Sequence, residues 1–370
     1  MIAQSVLMPV VQWGALATML VGVALLLAQE SRGPVLMADT ARREAVASLS
    51  GPYSLEDLYE RLSPAGVEEI GRHIRYFTGE GLPRLQRGLA RGNKYLASYR
   101  DLFRSNDMPE ELAYLPLIES SFIPTVVSHA QAAGMWQFIA STGRMYNLDQ
   151  NDYKDTRLDP FRSAQAAAQY LQHLHGQFNN WELALAAYNS GSGTVRWAIR
   201  RNIRENRPTD FFSLDLPDET TKYVPNFMAA VLIAKNPAAF GVKTIKPLPP
   251  LRYEHIKAAP SLPLDDLARV AGVQPSKLRG LNPSLIRGVV PPGDKPYRLR
   301  VPPGFFRELP GHVTGEQSRL RDYVVHKVTA DDSVASLAAR FGSKEESIRS
   351  ANKLGVDADL YARNLVLIPL

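Results

Sequence analysis

Hydrophobic residues change their spacing at Lys246-Pro-Leu-Pro-Pro250, a stiff proline-rich segment that neither a helix nor a central strand can cross. Upstream, apolar positions recur at helical intervals: Leu55, Leu58 and Leu62, then Val67, Ile70 and Ile74. Gly79 to Pro83 interrupts this pattern, and a second helix is expected from about Leu85 to Phe103. Residues 107–240 are alanine-rich and read as helix throughout, with Gly, Pro and Asn as punctuation. Downstream, strand-like ends enclose helix-like middles twice over, in segments of about 50 residues. The fold class expected is therefore mainly α, with two small βααβ modules after residue 250.

The first module runs from Leu264 to Val273, continues through Leu278-Arg-Gly-Leu-Asn-Pro283 and closes on Tyr297-Arg-Leu-Arg-Val-Pro302; it has no clear opening strand. The second opens on Tyr323-Val-Val-His-Lys-Val328, continues through Ser333–Gly342 and Ile348-Arg-Ser-Ala-Asn352, and closes on Leu365-Val-Leu-Ile-Pro369. Gly272 and Gly342 stand where a helix ends on a left-handed residue. A unit this small buries little apolar surface, so each module is expected to be marginal alone.

Composition narrows the function. A chain of 370 residues suggests two or three domains, and 45% hydrophobic with 22% charged residues excludes a mainly disordered one. The absence of cysteine removes disulfides, thiolate nucleophiles, Fe–S clusters, Cys-ligated zinc and lipid attachment at a processed cysteine. His173 and His175, two apart on a helix, face different ways, and the other histidines are scattered, so no metal is expected. No P-loop or dinucleotide fingerprint calls for a cofactor. Basic residues lack the aromatic interleaving of a nucleic-acid groove, so no nucleic-acid partner is expected. The net charge of +6 is uneven: Pro249–Leu370 holds 18 Lys/Arg against 13 Asp/Glu, so a polyanionic partner would meet the last third.

Val6 to Leu27 is an apolar run, interrupted by Gln12, long enough to cross a bilayer. No basic residue precedes it, and Leu26-Leu27-Ala28 is a poor small-x-small cleavage site. The run reads as an export segment and leans towards an uncleaved anchor, with signal-peptide cleavage as the alternative. Residues 29–50 are small and polar, as in a linker.

Chemistry gathers after residue 106. Asp107 and Glu110 are placed to form a capping box, with Pro109 in the first turn. The helix they open would run through Leu112, Leu115 and Ile118 to Glu119, with a kink or early end at Pro116 and a stop at Pro124. Glu119 then sits near a helix C-terminus among Leu115, Leu117, Ile118 and Phe122. An apolar shell and the negative end of the helix dipole both raise a carboxyl pKa, which suits a general acid near neutral pH. Spacing alone equally allows a surface Glu that merely ends a helix. Further on come Ala133-Gly-Met-Trp-Gln-Phe138, Ser141 as a cap for a short helix, and Asp159-Pro160 as a helix start. Helix Ala164–Phe178 follows, then Trp181–Ala187 running into Tyr188-Asn-Ser-Gly191, and Glu219-Thr-Thr-Lys-Tyr-Val-Pro225 opening another helix.

Taken in order, Glu119-Ser120, Gly134-Met-x-Gln137, Ala187-Tyr-Asn-x-Gly191 and Glu219-Thr-x-x-Tyr-Val-Pro225 resemble the goose-lysozyme-like (SLT) lytic transglycosylases of the bacterial cell wall. Leu115-Pro-x-Ile-Glu-Ser-Ser-Phe122 and Trp136-Gln-Phe138, followed by the repeats, resemble more closely the D-type membrane-bound lytic murein transglycosylases. The repeats themselves resemble LysM domains, which bind N-acetylglucosamine-containing glycans. Departures are Met135 where Leu is usual, a stretch from Ser128 to Gly134 that lacks an expected glycine, and Asp331-Asp-Ser333 in place of Gly-Asp-Ser/Thr. The resemblance implies a signal or anchor segment at 1–28 and a linker with a helical extension at 29–94. A lysozyme-like α+β catalytic domain would follow at 95–245, then a degenerate LysM-like repeat at 251–303 and a LysM repeat at 321–370.

It also implies a bacterial, periplasmic, membrane-anchored enzyme acting on peptidoglycan glycan strands, with no cofactor. Such enzymes cut the β-1,4 bond between N-acetylmuramic acid and N-acetylglucosamine without water. Glu119 would serve as acid and then base, leaving 1,6-anhydro ends. No second Asp or Glu stands between Glu119 and Leu148, in keeping with a single carboxylate. Carried over by motif, Ser120 and Gln137 would hydrogen-bond substrate or position Glu119, and Tyr188 and Tyr223 would orient it. Asn189 would contact the sugar or hold its loop, and Met135 and Phe138 would line the saccharide groove. Two other readings stand beside this one: a hydrolytic muramidase with Asp149, Asp152 or Asp155 positioning water, and a non-catalytic peptidoglycan-binding scaffold, whose sign would be loss of Glu119.

Overall fold

The computed structural model describes residues 64–243, 246–305, 323–352, 354–355, 360 and 365–370. The apolar run at Val6–Leu27 and the linker after it lie outside these residues. Among the described residues no helix is long and apolar enough to cross a membrane.

The helical part opens with α1 (Pro64–Thr78), α2 (Leu82–Gly92) and α3 (Leu96–Arg104). The single helix expected from Leu85 to Phe103 is thus two. Gly92 and Asn93 are weak helix formers, and Gly92 lets the Phe122 ring come so close that a Cβ there would lie 2.8 Å from it. The capping box at Asp107 does not form. Asp107 is left-handed at φ 55, and the chain enters a 3-10 turn at Glu110–Tyr114 before α4 (Leu115–Glu119). Pro116 falls in the first turn of α4, where a missing N–H costs nothing. Nor does Ser141 cap: α5 (Ala140–Met145) starts after an extended Ile139.

Four longer helices complete this part: α6 (Pro160–Phe178), α7 (Trp181–Ser190), α8 (Ser192–Arg204) and α9 (Asp218–Lys235). Asp159 caps α6 by accepting from the Phe161 and Arg162 amides, each at 3.0 Å. Alanines fill the facing surfaces, among them Ala164, Ala167 and Ala168 of α6, Ala184 and Ala187 of α7, and Ala229 and Ala230 of α9. Such small side chains let backbones approach closely, so α9 is buried from Tyr223 to Ile233 at every position but Asn226.

The two modules share one sheet. The first supplies β1 (Glu254–Ala258), α10 (Leu264–Val270), α11 (Pro275–Leu281) and β2 (Tyr297–Val301). The second supplies β3 (Tyr323–Lys327), α12 (Val334–Phe341), α13 (Glu345–Ala351) and β4 (Leu365–Pro369). Strand order is β2-β1-β3-β4, antiparallel within each module and parallel where β1 meets β3, with Lys257 opposite Val324. Side chains alternate across a strand. Val325, Leu365 and Leu367 therefore join Leu264, Leu267 and Leu278 of the first module, while Val324, Val366 and Ile368 meet Leu337 and Ile348 of the second. The helix pairs cover opposite faces of a common sheet.

The first module is fixed to the helical part. Arg300 of β2 forks onto the Asp159 carboxylate at 2.6 and 3.0 Å, so one side chain both caps α6 and receives a buried cation. Phe161 and Tyr253 lie on the guanidinium at 5.0 and 5.3 Å. Backbone bonds from Ile286 to Tyr153 and from Asp155 to Ser284 close the contact at 3.1 and 2.9 Å. Arg300→Met strands a buried carboxylate and is expected to cost about 3 kcal/mol. Calorimetry should show a lower first transition, and proteolysis new cleavage near residues 244–251.

Candidate active site

Glu119 is the last residue of α4. The chain leaves it through Ser121 and Phe122, two consecutive non-glycine residues at φ 53 and 57. Left-handed backbone of this kind is unfavourable and persists only when its surroundings enforce it. Here the Phe122 amide donates to Pro116 O at 3.0 Å, Arg91 Nε donates to Ser121 O at 2.8 Å, and Arg84 Nε donates to Ser121 Oγ at 3.0 Å. Buried Ser120 donates its hydroxyl to Met135 O at 3.0 Å, which binds the turn after Glu119 to the segment 133–138.

That segment is a tight loop closed by the Ala133 amide on Phe138 O at 3.0 Å. Gly134, at φ 82, is obligatory, since a Cβ would lie 1.9 Å from Arg157 O. Gln137 is left-handed and donates to Gly134 O at 2.8 Å and to Val126 O at 3.3 Å. Arg157 braces the loop from behind, donating to Gln131 O and Phe138 O at 2.8 and 2.9 Å while paired with Asp155 at 2.8 Å.

Tyr223 of α9 donates a hydrogen bond to Glu119 Oε1. Tyr188 of α7 donates to Trp136 O at 2.6 Å, and the Glu119 charge helps to raise its pKa, after burial. Asn189 accepts from Thr220 at 2.8 Å and reaches Glu219 at 3.4 Å. Glu119 has no Lys or Arg partner among the described residues. Its pKa rises from 4.5 to about 7: burial is the main cause, the Tyr223 hydrogen bond opposes it, and the Glu219 charge adds to it. The arrangement offers a neutral carboxyl that can give a proton near pH 7 and take one back.

Sequence-predicted residues divide by depth. Glu119, Gln137, Tyr188 and Asn189 are partly open, and Tyr223 closes on the carboxyl from below. Phe138 is buried but forms one side of an aromatic band, 6.1 Å from Tyr188. One reading needs correction. Met135 is 1% exposed and its sulfur accepts from Tyr99 at 3.3 Å, so it packs in the core and does not line a groove. Ser120 is 3% exposed with its hydroxyl spent on Met135 O, so of its two expected roles this geometry fits the positioning of Glu119.

The structure adds residues the sequence did not single out. Tyr170 and Tyr146 extend the band, each step 5.3 Å from ring to ring, and both are partly exposed. Within helical runs they look like ordinary core aromatics, and only their openness marks them. Glu219 was legible as part of a motif, but its closeness to Glu119 depends on the packing of α9. Asp155 is engaged by Arg157 and Gln150; burial opposes ionisation there, yet those bonds hold its pKa below the usual carboxylate value. Among the described residues no cluster of His, Asp and Glu could hold a metal. His175 stacks on Trp181 at 4.0 Å, and His173 bonds Gln177.

Comparison with known proteins gives three family matches: "Transglycosylase SLT domain" over residues 101–210, "Lytic transglycosylase MltD, LysM-like domain" over 252–309, and "LysM domain" over 326–369. The chain is similar to the membrane-bound lytic murein transglycosylase D of Escherichia coli K12, 34% identical over 71% of this chain and 61% of that one. It therefore spans about three fifths of the length of that relative. It is also similar to the soluble lytic murein transglycosylase of the same organism, 28% identical over 37% of this chain and 23% of that one. The crystal structure of the 70 kDa soluble lytic transglycosylase SLT70 from Escherichia coli covers 52% of this chain and 32% of its own, at 23% identity and a TM-score of 0.33, too low to argue from. Residues 101–210 thus match a transglycosylase SLT domain, followed by matches to a LysM-like domain of the MltD kind and to a LysM domain.

Proposed function

We propose that this protein is a lytic transglycosylase that cuts the β-1,4 bond between N-acetylmuramic acid and N-acetylglucosamine in peptidoglycan. The observation that carries the reading is the Glu119 carboxyl, with a pKa of about 7, no cationic partner among the described residues, and a phenol from Tyr223 fixing one oxygen. Glu119 in its neutral form protonates the leaving glycosidic oxygen. The resulting carboxylate takes the proton from the muramic C6 hydroxyl as that oxygen attacks C1. The glycosidic C–O bond is replaced by a 1,6-anhydro C–O bond and no water is consumed. Tyr223 and Tyr188 hold the carboxyl in register, and Gln137 and Asn189 face the sugars. The substrate acetamido group and protein dipoles stabilise the oxocarbenium-like centre. The band Tyr188–Tyr170–Tyr146 carries the glycan away from the cut, since exposed rings suit sugar faces.

The two LysM modules hold glycan strands beside the catalytic domain, and the apolar run at Val6–Leu27 tethers the protein in the bacterial envelope, facing the periplasm. Glu219 favours one second reading. As a carboxylate near Glu119 it could orient a water and make the enzyme a hydrolytic muramidase.

Mass spectrometry of fragments released from purified sacculi decides between these. Anhydro ends are expected; reducing ends would overturn transglycosylation in favour of hydrolysis. Glu119→Gln should lower release at least a thousandfold while sacculus binding persists.

The pH dependence has a definite sign. The acid must be protonated, so kcat should fall tenfold per pH unit above about 7. In the folded protein the pKa is raised, so ionising Glu119 weakens the fold as pH climbs from 4.5 past 7. Glu119→Gln, which cannot ionise, should match wild type below pH 4.5 and exceed it by about 3 kcal/mol at pH 8 in urea melts.

A further inference from the structure

Three residues along α9 from Tyr223, Asn226 borders a cavity of about 130 Å³. Its wall includes Ile118 and Ser121, which flank Glu119 in the chain, and Tyr76 and Arg84, which come from α1 and α2. Leu85 adds to an apolar floor. The cavity therefore joins the helical extension before residue 95 to the turn that carries the general acid.

The polar side of this cavity is cationic. Arg84 is exposed and spends only Nε, on Ser121 Oγ, so its terminal nitrogens are free for an anion. Arg87 and Arg91 follow at spacings of three and seven on the same helix face. None of the three has an acidic partner among the described residues. Arg91 is held below its usual pKa by burial and then by Arg87 and Arg84, as expected where like charges gather without a counterion. A guanidinium with its fork unused recognises a carboxylate in two-pronged fashion. Ser121 and Asn226 add a hydroxyl and an amide, and the volume suits a carboxylate on a short aliphatic stem.

On the transglycosylase reading, the muramoyl residue at Glu119 bears a lactyl-linked peptide with free carboxylates. We propose that this cavity receives a carboxylate of that peptide, with Arg84 as the group that reads its charge. The inference rests on the proposed function for the identity of the substrate.

The test compares peptide-bearing glycan strands with the same strands after carbodiimide coupling to methylamine, which removes the negative charges. Wild type is expected to show a KM about tenfold lower on the charged strands. Arg84→Gln should abolish that preference by raising KM on charged strands, while any loss of kcat through the Ser121 turn falls equally on both. Arg84→Lys should retain part of the preference. Discrimination by Arg84→Gln equal to that of wild type would overturn the proposal. So would a fall in kcat on both substrates with KM unchanged, since that would mark Arg84 as a positioning residue for the Ser121 turn alone. Binding of both strands to the Glu119→Gln protein gives the same comparison without turnover. If wild type released no anhydro ends, the catalytic reading would fail while this binding ratio still tested the site.

Discussion

A carboxyl group that stays neutral near pH 7 must have little water around it and no cation beside it. Much of the helical part is arranged to meet that condition at Glu119. The alanine faces of α6, α7 and α9 bring three backbones close enough to exclude solvent while leaving room for Tyr188 and Tyr223. Tyr223 is buried and Tyr188 half-buried, and both are raised well above their ordinary pKa, burial first and then the Glu119 charge, so they stay protonated as donors. The nearest cations act at one remove. Arg84 and Arg91 grip the backbone and hydroxyl of Ser121 two residues on, fixing the left-handed turn without pairing with the acid.

The same economy links the site to the modules. Arg157 holds the 131–138 loop through Gln131 O and Phe138 O. Its neighbours Asp155 and Asp159 are the residues on which the first module rests, through Ser284 and Arg300. The module is thus seated on the loop that braces the turn after Glu119. Expected to be marginal alone, it gains support on two sides: the buried Arg300–Asp159 pair and a sheet continued into the second module. Strand β4 is covered on both faces, which explains why it reads as an unbroken apolar run.

What the sequence made legible follows from how local each signal is. The α6 start at Asp159 and the glycine ends at Gly272 and Gly342 are decided within a few residues, and they were readable. Strand β1 was not, because Glu254-His-Ile-Lys-Ala258 holds only one β-branched residue and becomes a strand by lying between β2 and β3. The Asp107 cap failed because Pro109 and the 3-10 turn reset the helix start downstream. Met135 and Ser120 belong to the family motif, but a motif does not say which side of a loop faces the core. Tertiary packing decides that: Tyr99 claims one and Met135 O claims the other.

Charge gives the sharpest contrast between counting and placing. The basic excess after residue 249 suggested a field for a polyanion. Yet Arg300 is committed to Asp159, Lys327 and Arg269 to Asp266, Arg279 to Asp265 and Arg340 to Asp332. A cation already paired at short range adds little potential at a distance. Arg84 and Arg91 of α2, in the near-neutral part of the chain, have no acidic partner among the described residues and lie against the turn beside Glu119. A carboxylate-rich strand would find unpaired cations there as well as in the modules. Net charge by region weighs every cation alike and does not show which of them are spent on holding the fold together.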